Sequence, residues 1–129
     1  MGSTYAHIIE NQREHSKRFG AMLRRWRELN GWTQYTAEEW SREAGFISYG
    51  HGSTSELENG KNGNPGAKCF LHLYEVNRRV AAEDYSGVTS RKLKDLLVGS
   101  RPILDEFGDP WTPGHWWGVH KGLHPIPDW

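Results

Sequence analysis

Apolar residues recur at helical spacing near the start of the chain. Phe19, Leu23, Trp26 and Leu29, with Met22 beside them, make one stripe among charged neighbours. The pattern predicts a first helix from about Thr4 or Ala6 to Leu29, stopped by Asn30-Gly31 in the manner of a left-handed C-cap. Thr36-Ala37-Glu38-Glu39 has capping-box spacing, so a second, shorter helix is expected there, with Trp40 and Ala44 on one face and Gly45 at its end. The Gly-punctuated stretch Phe46–Gly52 reads as a turn. Ser53 and Glu56 repeat the capping-box spacing and open a third helix, which Asn59-Gly60 terminates. Asn64-Pro65 opens a fourth, with Asn as N-cap and Pro at the first position, where its missing N–H costs nothing. Its buried stripe is Phe70, Leu73 or Tyr74, and Val80 with Ala81. Ser90 caps a fifth helix that carries Leu93, Leu96 and Leu97 and closes at Gly99. From Arg101 onward Pro and Gly are frequent and periodicity disappears, which predicts a mostly irregular Trp-rich tail with one helical turn near Leu104–Phe107. No segment alternates as a strand, so the expected class is all-α: a five-helix bundle with a C-terminal tail.

The length of 129 residues suits one domain plus an appendage, and it can bury a core without disulfide or metal staples. The single Cys69 cannot form an intrachain disulfide and, beside Phe70, reads as a small core residue. The N-terminus lacks a signal-peptide core, and no apolar run approaches the ~20 residues of a transmembrane helix. The expectation is a soluble, cytoplasmic protein with no membrane partner. Net charge is zero, which is unfavourable for a generic nucleic-acid binder, but the charge is uneven. The first helix is locally basic through Arg13, Lys17, Arg18, Arg24, Arg25 and Arg27; this run reads equally as a solvated face or as a DNA contact. The segment after Ser100 is acidic, with Arg101 and Lys121 against Asp105, Glu106, Asp109 and Asp128. Four of the seven Trp lie after residue 110, at Trp111, Trp116, Trp117 and Trp129. They are expected to be buried within or between chains, with a protein-partner patch as the other reading.

Candidate chemistry is sparse. Nothing resembles a nucleophile with its base, and Gly60-Lys61-Asn62-Gly63 lacks the spacing of a phosphate loop. His115, His120 and His124 lie near Asp109 and Asp128 but match no standard zinc-ligand pattern. No catalytic residue, metal or cofactor is expected, and the chain does not read as an enzyme.

The order helix, short helix, Gly turn, polar short helix, Glu-Asn-Gly-Lys turn, helix has a recognisable counterpart. Leu23-Arg24-Arg25-Trp26-Arg27-Glu28-Leu29-Asn30-Gly31-Trp32-Thr33-Gln34, Glu43-Ala44-Gly45 and Ser55-Glu56-Leu57-Glu58-Asn59-Gly60-Lys61, with Pro65 after, resemble the lambda-repressor-like, or XRE-type, helix-turn-helix family over roughly residues 17–82. The resemblance implies a helix-turn-helix domain at 1–82 that regulates transcription from double-stranded DNA as a homodimer. Residues 83–129 would supply the interface or cover the bundle. A DNA-reading helix must be short, polar outside and anchored by apolar residues beneath. The third helix fits, with Leu57 as anchor and His51, Ser53, Thr54, Ser55 and Glu56 as hydrogen-bonding groups for base edges or phosphates. Asn59 and Lys61 fall where the family grips the sugar-phosphate backbone. The resemblance also implies a buried ion pair between Arg27 and Glu58.

The sequence departs from the family pattern in three places. The stretch Thr33–Gly45 is three residues long beyond pattern. Either Gln34 is the phosphate-clasping Gln and an insertion follows, or Thr36 starts the helix and Ala37 sits where Gln is expected; the capping box favours the second. The turn from Gly45 to Ser53 is also about three residues long beyond pattern, and Thr54 falls where the family buries an aliphatic side chain. These departures, with the neutral charge and the Trp tail, motivate a second reading: a protein-interaction module on a helix-turn-helix scaffold that does not bind DNA.

Overall fold

In the computed structural model, which describes the backbone of residues 2–127 and the side chains of residues 11–127, the chain is all-α. Its elements are α1 (Gly2–Leu29), α2 (Thr36–Ala44), α3 (His51–Glu58), α4 (Ala67–Ala81), α5 (Arg91–Leu97) and α6 (Pro113–His120). Among the described residues the extended structure is an isolated antiparallel bridge between Leu104 and Pro110. No helix among them is long and apolar enough to cross a membrane.

The α1 stripe buries Phe19, Met22, Leu23 and Trp26, while Leu29 is exposed, so the stripe ends one turn earlier than its spacing suggested. Gly31 follows α1 with φ of 71°, the left-handed stop that Asn30-Gly31 foretold. Gly20 lets α1 meet α3 at backbone distance: a Cβ there would overlap the carbonyl oxygens of Leu57 and Glu58.

Neither expected capping box forms. Thr36 lies inside α2, whose N-cap is Tyr35; its hydroxyl accepts from the Thr33 N–H at 3.0 Å and is not available to Glu39. The third helix begins two residues before Ser53, with Gly50 at the N-cap. The carboxylate of Glu38, from α2, accepts from the His51 N–H at 3.2 Å and satisfies a donor of this earlier first turn, while Ser53 lies inside the helix and does not cap it. The fourth helix starts after Gly66, not at Asn64-Pro65, because Asn62 Oδ1 takes the Asn64 N–H in a turn of its own. Ser90 does cap α5, accepting from the Leu93 N–H at 3.2 Å. Glu43 of α2 ties that cap down by accepting from the backbone of Thr89 and Ser90.

The C-terminal segment is mostly irregular, as expected, but it carries one helix, α6, that the sequence did not announce. Thr112 accepts from the His115 N–H at 3.1 Å and Pro113 sits in the first turn, so α6 has a standard N-terminus. The expected helical turn near Leu104–Phe107 is a tight loop held by Asp105, whose side chain accepts from Phe107 and Asp109. Trp116 is fully buried, with ring centroids 4.9 Å from Trp111, 5.9 Å from Trp26 and 6.3 Å from Phe19. The segment between α5 and α6 is bolted across α1 and α4: Trp26 Nε1 donates to the Arg101 carbonyl at 2.7 Å, and Asn77 exchanges two 2.7 Å bonds with the backbone of Ile103. A single apolar cluster runs from Phe19 to Val119, so the aromatic tail completes the core of the helices before it. Trp117 is half-exposed, and Trp129 lies outside the described residues.

Candidate nucleic-acid interface

The inner end of α3 is locked. Leu57 is buried beneath it, and Glu58 receives a two-pronged grip from Arg27 of α1, Nε and Nη2 donating to the two carboxylate oxygens at 2.8 Å each. The hydrogen bond to Glu58 raises the Arg27 pKa above its ordinary value, so the guanidinium stays charged. Arg27 also donates to the Trp32 carbonyl at 3.0 Å, and Gln34 donates to Glu58 at 3.3 Å. The ion pair expected from the resemblance is therefore present, and it also holds Gln34.

Several site residues expected from sequence do not share the outward face. Thr36 is buried, its hydroxyl spent in the turn before α2. Gln34 is half-buried and turned to Glu58. Thr54 is half-buried; its hydroxyl donates to the Tyr49 carbonyl at 3.4 Å and it lines a small, largely apolar cavity beneath α3. An internal partner claims each of these polar groups, a turn residue for Thr36 and Thr54 and a residue of α3 for Gln34.

The remaining candidates form a solvent-facing set: His51, Ser53 and Glu56 on α3 are exposed, Ser55 is half-buried, and Asn59 and Lys61 are exposed just past its end. His51 is exposed but oriented. Its Nδ1 donates to Glu38 at 2.7 Å and its ring stacks on Tyr35 at 4.3 Å. That hydrogen bond lowers the Glu38 pKa below the ordinary glutamate value. Sequence reasoning missed Glu38 and Tyr35, because neither spacing nor residue type places them against a helix thirteen or more positions away.

Behind this face, the turn that leads into α3 is pinned by His72 of α4. Its Nδ1 lies 2.8 Å from the Ile47 carbonyl oxygen, which can only accept, so Nδ1 carries the proton. Burial lowers the His72 pKa, keeping the ring neutral. Cys69 is buried and its thiol is pushed up to about 12 by desolvation, which makes it an inert core group. Among the described residues the aromatic tail packs on α1 and α4 and meets the loop after α3, where His120 Nε2 meets the Asn62 carbonyl at 3.2 Å and Lys121 donates to the Gly63 carbonyl at 3.1 Å. His115 and His124 stack on each other with centroids 4.4 Å apart, and Trp111 stacks on His115.

No curated protein and no solved structure matches the chain. A family model described as a domain of unknown function matches residues 9–122, nearly the whole chain, and the chain belongs to that family, DUF8644.

Proposed function

We propose that this chain is a DNA-binding transcriptional regulator that lays α3 into the major groove. The observation that carries the reading is a short helix, rigid at its inner end, whose His51, Ser53 and Glu56 side chains are exposed among the described residues. In this reading His51, Ser53 and Glu56 meet base edges, and Asn59 and Lys61 meet phosphate. A cytosine amino group is the natural donor to Glu56. The likeness to lambda-repressor-like proteins belongs to the same reading, as do a cytoplasmic location and a homodimer that sets two copies of α3 about 34 Å apart along the duplex.

The test is titration against mixed genomic DNA at low and moderate salt. Binding that falls steeply with salt supports the reading, and silence at both salts rejects it. Lys61→Ala should weaken binding to all sequences similarly and flatten the salt slope by roughly one unit. An unchanged slope would show that Lys61 touches no phosphate.

One feature supports the second reading, a protein-interaction module. Leu104, Phe107, Leu123 and Ile126 are exposed apolar residues of the C-terminal segment, and Phe107 is 82% exposed. Silence with DNA would move the function to that surface.

A further inference from the structure

We propose that the concavity between α1 and the loop joining α3 to α4 is a seat for a phosphate oxyanion. Arg13 and Lys17 line it from α1, and Gly60, Lys61, Gly63 and Asn64 line it from the loop; it is open to solvent and encloses about 620 Å³.

The structure divides the basic run of α1 into two kinds of cation. Arg18 pairs with Glu14 at 3.3 Å, Arg24 with Glu28 at 2.8 Å and Arg27 with Glu58 at 2.8 Å. Lys17 and Lys61 make no salt bridge with any described residue, and among the described residues no carboxylate lines the concavity into which they and Arg13 converge. A solvated helix face interleaves charges of both signs; this surface gathers one sign from two segments far apart in sequence.

The convergence is built into the backbone. Gly60 has φ of 70°, and a Cβ on it would lie 2.8 Å from Lys17 Cγ and 2.9 Å from Lys17 Cα. Any other residue would push the loop, and Lys61 with it, away from α1. Lys121 adds a further positive charge behind the loop through its bond to the Gly63 carbonyl. Glu58, at this end of α3, is already neutralised by Arg27. An anion is what relieves such a cluster. The side-chain amide of Asn64 supplies a directional donor of the kind that phosphate oxygens accept.

The phosphate can come from a duplex backbone or from a free phosphorylated molecule. The duplex source rests on the DNA-binding reading above, since Lys61 would link the seat to the α3 face; the seat itself does not depend on it. Lys17→Gln is the informative variant, because it keeps the methylenes that lie over Gly60 and removes the charge.

Two readouts on the full chain test the proposal. The first is the amide shifts of Gly60, Lys61 and Gly63 as inorganic phosphate replaces chloride at constant ionic strength. The second is the salt slope of duplex binding. With a duplex as the source, Lys17→Gln should flatten that slope by about 0.9. With a free phosphorylated ligand as the source, phosphate should move the three amides in the wild type and not in Lys17→Gln, while duplex DNA does not bind; the seat then stands and the DNA-binding reading falls. If duplex binding keeps the same slope in the variant and phosphate leaves the amides still, the seat is overturned and the DNA-binding reading stands. Silence in both readouts overturns both.

Discussion

The two ends of α3 are held by the same chemistry in different surroundings. At the inner end, Arg27 grips Glu58 with side chains 18% and 3% exposed; at the outer end, His51 meets Glu38 with side chains 48% and 25% exposed. The outer contact is the shorter, 2.7 Å against 2.8 Å, so distance does not rank them. Burial does. Removing one partner of the inner pair strands a desolvated charge, whereas either partner of the outer pair is received by water. One pair therefore makes a fixed pivot and the other an adjustable contact. An interface that has to conform to a partner gains from that arrangement, because it leans on a rigid scaffold and adapts at its tip.

The largest effect should come from the pivot. Glu58→Ala should cost about 3 kcal/mol, at the low end for a buried pair because Arg27 keeps some access to water. Urea denaturation measures it, and a midpoint equal to wild type would erase the distinction between the ends.

A smaller effect should come from acid, through the turn that leads into the outer end. Burial depresses the His72 pKa below its ordinary 6.5, so below that pH the unfolded chain binds a proton that the folded chain does not. Stability should decline as pH falls through 6.5 toward the lowered folded-state value. The amides of residues 46–54 should lose exchange protection before those around Arg27 and Glu58. His72→Asn should reduce the decline; an undiminished acid response would assign it elsewhere, with His120, whose pKa burial also lowers, the next candidate.

The smallest effect should come from the outer pair. Glu38→Gln should leave the unfolding midpoint at neutral pH essentially unchanged. The contact shows instead in an NMR titration. The Glu38 carboxyl should titrate below its ordinary 4.5 in the wild type and return toward it in His51→Ala. Because the folded-state pKa is depressed, what stabilisation the pair provides is present above that ordinary value and is lost as pH falls through the lowered one. A wild-type Glu38 that titrates at 4.5 or above would show that the hydrogen bond does not persist in solution.

Legibility in the sequence followed the range of the interaction. The Gly31 stop and the Ser90 cap were readable because each is settled within a few residues. The N-terminus of α6 was equally local, and Thr112-Pro113 was its available signal; the frequent Pro and Gly around it masked it. The capping boxes at Thr36 and Ser53 were misread because their hydroxyls had rivals. A turn residue took one, and a carboxylate of another helix caps α3 at His51, two residues earlier, which leaves Ser53 inside the helix. The site divided in the same way. Residue type marked His51, Ser53, Glu56, Asn59 and Lys61 as polar and near a short helix, and these stayed exposed. Gln34, Thr36 and Thr54 had the same chemistry on paper but found internal partners.

What this sequence determined by itself is its helical class and most of the stops and stripes from which the bundle is made. Those depend on backbone conformation and on side-chain periodicity along one segment. Only the tertiary structure decided which polar groups are spent inside and which remain to meet a partner. It decided too that the aromatic tail belongs to the core, and that one basic run is split between paired arginines and a convergent cluster. The physical reason is competition. A donor, acceptor or charge goes to the best partner within reach, and folding brings within reach groups that the chain holds dozens of residues apart.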